Sequence, residues 1–91
     1  MIMLHPSSRF KRSFKKIPRH IQKDFAEKIE LFLKNPFGLK LKTHKLKGKL
    51  GNYYAFDLMD GYRVLFDLIE TNVVLLVNIG DHNEYKKWAR S

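Results

Sequence analysis

Two periodicities divide this chain. Over the first third, apolar side chains recur every three or four positions: Phe10, Phe14 and Ile17 follow an i, i+4, i+7 pattern, and Ile21, Phe25, Ile29, Phe32 and Leu33 form one stripe with Lys and Glu opposite. That spacing predicts two short amphipathic helices in a hairpin. Ser7 or Ser8 can cap the first, Pro18 separates it from the second, which begins near Arg19, and Asn35-Pro36 followed by Gly38 ends the second. Glu30 and Lys34 add a favourably ordered i, i+4 pair. After Gly38 the period becomes two. Leu41 to Leu46 alternates weakly, as an edge strand guarded by lysines. Tyr53 to Met59 and Tyr62 to Leu68 are stronger strands joined through the hairpin signal Asp60-Gly61. Val73 to Ile79 is a nearly continuous aliphatic run, as expected of an interior strand, and Glu70-Thr71-Asn72 is its preceding turn. Ile2 to Leu4 adds a short first strand ended by His5-Pro6.

The expected fold is therefore α+β: two N-terminal helices packed on a twisted antiparallel sheet of three to four strands, plus the short first strand. Ninety-one residues supply one hydrophobic core, hence one domain over residues 1–91. Alternation also assigns faces. In the strand from Tyr62, the set Tyr62, Val64, Phe66 and Leu68 is apolar and will take the helices. Arg63, Leu65 and Asp67 then project from the opposite, partly open face.

Charge changes the picture most. Lys plus Arg number 18 against 9 acidic residues, and residues 1–50 hold 14 basic and 3 acidic groups while residues 51–91 hold 4 and 6. A clustered positive field attracts phosphates and releases their counterions, so a polyanion or an acidic protein is the expected partner. There are no cysteines, which rules out a disulfide framework and a thiolate zinc site; His5, His20, His44 and His82 are scattered without ligand spacing. Nothing approaches the ~20 apolar residues of a membrane span. A soluble, cytoplasmic protein needing neither metal nor cofactor is the expectation.

The segments LKTHKLKGKLGNYYAFDL, DGYRVLF and VNIGDHNEY, in this order and with PSSRFKRSFKKIP and a helix before them, resemble the RelE/ParE superfamily of toxins from toxin–antitoxin pairs. The likeness spans nearly the whole chain and is strongest to the RelE, YoeB and YafQ branch of messenger-RNA endonucleases. It implies that Arg63 contacts the scissile phosphate, that His82 is a catalytic histidine where RelE itself has arginine, and that His44 falls where YafQ-like members have a histidine and YoeB-like members a glutamate base. Tyr85 lies near the C-terminal aromatic such toxins use. One departure stands out: the lysines of RelE before its glycine-tyrosine-arginine motif fall near Tyr54 and Phe56 here.

The chemistry of these residue types agrees with that list. Cleaving RNA without a metal needs a base for the 2′-hydroxyl proton, an acid for the 5′-oxygen and a cation for the phosphorane. Imidazole does either proton transfer near neutral pH, and guanidinium grips two phosphate oxygens at once. His44 is assigned as base, His82 as acid and Arg63 as transition-state stabiliser, with the two histidine roles exchangeable. Tyr85 can stack on a base or bond a phosphate, and Trp88 offers a second stacking surface. Lys40, Lys42, Lys45, Lys47 and Lys49 form a basic run suited to an RNA backbone.

Each assignment has a plainer rival. His44 can be a solvated residue on a lysine-rich edge, His82 a strand-end histidine bonded to backbone, Arg63 the partner of Asp67 or Asp57, and Tyr53, Tyr54 and Trp88 packing residues.

The expected function is that of a type II toxin: a metal-independent, ribosome-dependent mRNA endonuclease that inhibits translation. The resemblance implies a cognate antitoxin, with mRNA and the ribosome as further partners, no membrane, and DNA contacted only through the antitoxin. Two other classes stay open. A ParE-like toxin inhibits gyrase by binding and needs no acid–base set; a non-catalytic nucleic-acid-binding relative would be tolerated without an antitoxin.

Overall fold

The computed structural model describes residues 2–90. Strand β1 (Met3–Pro6) leads into α1 (Ser8–Lys16) and α2 (Arg19–Lys34); then come β2 (His44–Lys45), β3 (Tyr54–Asp57), β4 (Arg63–Glu70), β5 (Val73–Gly80) and a C-terminal helix α3 (His82–Arg90). The sheet order is β1-β5-β4-β3-β2. β1 pairs parallel with β5 and the remaining pairs are antiparallel, so the sheet is mixed. Among the described residues no helix is long and apolar enough to cross a membrane.

Local chemistry explains the junctions. Ser7 is the cap of α1: its hydroxyl oxygen accepts from the Phe10 amide at 3.0 Å and donates to the Val77 carbonyl at 2.8 Å, fixing the helix start to β5. Gln22 donates from α2 to the Phe14 carbonyl at 2.8 Å, satisfying an acceptor at the end of α1. Between β3 and β4, Asp60 (φ 55°) and Gly61 (φ 76°) both take left-handed backbone, and the Tyr62 amide closes the turn on the Met59 carbonyl. That is the tight hairpin Asp60-Gly61 predicts.

One face of the sheet carries the main core. Phe32, Phe56 and Phe66 are fully buried and in mutual ring contact, with Val64, Val74, Leu76 and Ile79 around them and α1 and α2 above. Truncating one such ring to alanine costs about 3–5 kcal/mol. Tyr62 packs on this core and Leu65 faces away from it, as alternation requires.

One expectation needed revision. The edge strand predicted from Leu41 to Leu46 shrinks to His44–Lys45, because Leu41 is fully buried in a 3-10 turn and Lys42 has φ 52°, which breaks the extended chain. The tail is a nine-residue helix lying on the second sheet face, where Tyr85 and Trp88 pack against Leu46, Leu50, Ala55 and Leu65. That face is thus partly covered. The φ of Gly80 is not positive, but a Cβ there would come within 2.8 Å of the Glu84 Cβ and 3.0 Å of the Trp88 ring. Its requirement is room for α3.

Candidate functional site

A cleft of about 490 Å³ opens where the β3–β4 turn, the start of β4, the start of α3 and the α2 side of the molecule meet. Its walls are Lys28, Lys40, Lys42, Asp57, Arg63 and His82, with Leu58, Met59, Gly61 and Tyr62 between them. Four basic side chains against one carboxylate give the cleft a basic lining, and its volume is in the range of small-molecule sites.

Strand register places Arg63. It is paired across β3–β4 with Asp57 and across β4–β5 with Gly80, two residues before His82. Asp57 Oδ1 lies 3.2 Å from Arg63 Nε, but off hydrogen-bond geometry, so that buried oxygen has charge compensation without a directed bond among the described residues. Both side chains are about one-third exposed, and a pair of this kind contributes at most about 1 kcal/mol to stability. Its effect is geometric: it keeps the guanidinium on the cleft wall. On the other side the Arg63 guanidinium carbon sits 5.0 Å from the centre of the Tyr85 ring. Tyr85 in turn stacks on His82, with centroids 6.4 Å apart and planes 14° from parallel, and meets Trp88 edge-on at 6.2 Å. Asp57, Arg63, Tyr85 and His82 therefore form one connected row.

His44 is on the same sheet face but not on the cleft wall. It pairs with Ala55, which pairs with Leu65, two residues beyond Arg63 on β4; strand spacing puts the His44 and Arg63 Cα atoms about 12 Å apart. Its Nδ1 is 2.9 Å from the Lys42 carbonyl. A carbonyl can only accept, so Nδ1 carries the proton and, in the neutral ring, Nε2 is left with its lone pair, as a proton acceptor needs.

The basic run is split by the fold. Lys40 and Lys42 line the cleft, whereas Lys45, Lys47 and Lys49 do not; Lys45 shares the face of its pair partner Tyr54 rather than that of His44. Trp88 is half-buried and packed in the second core, and Tyr53 and Tyr54 are packing residues as well.

Lys28 was missed from sequence. It is one turn from Asp24, which is only 5% exposed. Asp24 Oδ1 accepts from Lys28 Nζ and Oδ2 from the Met59 amide, both at 2.9 Å. Burial pushes the Asp24 carboxyl up, but the Met59 amide and Lys28 outweigh it and hold its pKa below the ordinary carboxylate value. One carboxylate thus ties α2 to the turn that forms the cleft floor. The signal was present: Asp24 and Lys28 fall at i+3 and i+7 from Ile21, on the stripe an amphipathic helix reserves for apolar residues.

No protein-family model matches the sequence, and comparison with curated protein sequences finds no match. Solved structures do match. YafQ from E. coli strain BL21(DE3) superposes with a TM-score of 0.77 at 12% identity, covering 93% of this chain and 98% of that one. The YoeB/ParE toxin from Agrobacterium tumefaciens gives 0.74 at 14% identity, with 90% and 99% covered. The chain has the RelE/YoeB/YafQ toxin fold. The RelB-RelE antitoxin–toxin complex from Methanococcus jannaschii also matches, with a TM-score of 0.72 at 22% identity, covering 92% of this chain and 96% of that one. In this fold the cleft sits where β4 begins and β5 ends, at the start of α3.

Proposed function

We propose that this protein is the toxin of a type II toxin–antitoxin pair and acts as a metal-independent, ribosome-dependent mRNA endonuclease in the cytoplasm. The observation that carries the reading is the shared cleft of Arg63 and His82, walled by lysines, on a fold common to YafQ and RelE. The neighbour structures include an antitoxin–toxin complex, which supports a cognate antitoxin as the protein partner here.

In this reading the RNA strand enters the cleft with its scissile phosphate against Arg63. His44 Nε2 takes the 2′-hydroxyl proton, the oxygen attacks phosphorus, and His82 returns a proton to the departing 5′-oxygen. The products are a 2′,3′-cyclic phosphate and a 5′-hydroxyl. Arg63 bears the charge that builds on the phosphorane, held in place by Asp57 and the Tyr85 ring. His44 and Arg63 stand on one sheet face with Cα atoms about 12 Å apart, so their side chains reach the same phosphodiester by extending toward each other over β3.

The test is translation-coupled cleavage: purified protein added to a translating extract, with mRNA ends mapped by primer extension. Cuts within translated codons, lost in Arg63→Ala, support the reading. Arrest of replication with intact mRNA would replace it with gyrase inhibition.

A further inference from the structure

We propose that the cleft contains a second phosphate subsite, centred on Lys28 and completed by Lys40 and Lys42, so that its ligand is a nucleic-acid strand presenting two successive phosphates. The first phosphate belongs to Arg63 and His82. The inference deepens the reading of the chain as an RNA-cleaving toxin and rests on it for the identity of the strand.

Three observations carry it. The cations of the cleft come from two separate parts of the fold: Arg63 from the sheet, and Lys28, Lys40 and Lys42 from α2 and the segment after it. Leu58, Met59 and Tyr62 lie on the same walls, an apolar surface suited to the sugar and base that separate two phosphates. Lys28, finally, is built in rather than draped on the surface. Its side chain is only 24% exposed and its ammonium is held at 2.9 Å by Asp24, whose other oxygen is taken by the Met59 amide. The carboxylate is therefore used on both sides and cannot swing away.

One of the three ammonium hydrogens serves Asp24, and two are left to donate. Because the side chain is already immobilised, binding an anion costs little further conformational entropy. Asp24 offsets the charge of Lys28, so net attraction comes from Lys40 and Lys42 while Lys28 supplies the directed donor.

The experiment uses two probes that lack the attacking 2′-hydroxyl and so cannot be cut: a dinucleoside monophosphate and a trinucleoside diphosphate. Affinities are measured by calorimetry over a series of salt concentrations. The wild-type protein is expected to bind the two-phosphate probe about tenfold more tightly, with a log–log salt slope steeper by about 0.7. Lys28→Gln should lose both advantages, Lys28→Arg should keep them, and Arg63→Ala should weaken both probes alike. Asp24→Asn combined with Lys28→Gln removes the pair without stranding a charge; it should also lack the advantage. Equal binding of the two probes by wild type, or an advantage retained in either Lys28→Gln protein, overturns the subsite. Cleavage in the translating extract is scored separately. Cutting without a two-phosphate advantage leaves the toxin reading and removes the subsite, and the advantage without cutting does the reverse.

Discussion

The guanidinium of Arg63 rests 5.0 Å above the ring of Tyr85, so the main cation of the cleft is braced by an aromatic face from α3. This contact separates what the ring does from what the hydroxyl does. A cation–π contact is worth about 0.5–2 kcal/mol. Tyr85→Ala is therefore expected to lower the cleavage rate by roughly tenfold, while Tyr85→Phe stays near wild type; a loss in Tyr85→Phe equal to that in Tyr85→Ala would assign the role to the hydroxyl instead. Single-turnover rates on a defined transcript measure it.

Removing both proposed proton carriers should abolish cleavage. General acid–base groups each contribute about 10²–10⁴-fold, so His44→Ala with His82→Ala falls below detection while antitoxin binding, followed by calorimetry, stays nearly intact. Both rings are on the surface side of the sheet, so the circular dichroism spectrum should not change.

Gly80→Ala tests how α3 is seated. With Glu84 Cβ 2.8 Å and Trp88 3.0 Å from the new methyl, the helix must move outward. Overpacking of this kind destabilises by about 1–3 kcal/mol. Trp88 is the one tryptophan in the chain, so its emission should shift to longer wavelength as it leaves Leu50 and Leu65. Cleavage should drop in parallel, since His82 and Tyr85 move with the helix. An unshifted spectrum at wild-type melting temperature would mean that α3 accommodates the methyl.

Asp24 sets an acid-dependent part of the stability. Burial works against its charge, but the Met59 amide and Lys28 prevail and its folded pKa lies below the unfolded value. The stabilisation is thus complete above the unfolded carboxylate pKa, about 4, and disappears as pH falls through the folded one. Asp24→Asn should cost about 1–3 kcal/mol at neutral pH and show a flatter loss of stability on acidification. Urea midpoints taken from neutral pH downward give both; parallel curves for the two proteins would remove Asp24 from the acid response.

Much of this architecture was legible in the sequence because each element announced itself twice. The helices had both an apolar stripe and punctuation, Ser7 at one start and Asn35-Pro36 at one end; the hairpin had alternation and Asp60-Gly61. Arg63 was placed on the right face by parity alone, since Val64 and Phe66 had to meet the helices. What escaped was whatever depended on a distant partner. Leu41 reads as a strand residue until the burial that curls it into a 3-10 turn is known. Gly80 carried no local signal, because only packing reveals that Trp88 needs its space. Lys28 looked like one more solvated lysine, although its place on the apolar stripe beside Asp24 marked the pair as unusual. The lysine run from Lys40 to Lys49 gave no hint that the cleft takes its beginning and leaves its end outside.

The parallel pairing of β1 with β5 carries a consequence for how the molecule comes into being. Met3 to Pro6 find their partners only at Val73 to Leu76, and the Ser7 hydroxyl that starts α1 closes on a carbonyl 70 residues away. A nascent chain emerging N-terminus first must hold its opening segment unpaired until β5 has followed it out. Contacts this remote slow folding, and Arg63 and His82 cannot become neighbours before β5 is laid down. Assembly of the cleft thus waits until β5 and the first turn of α3 have been made.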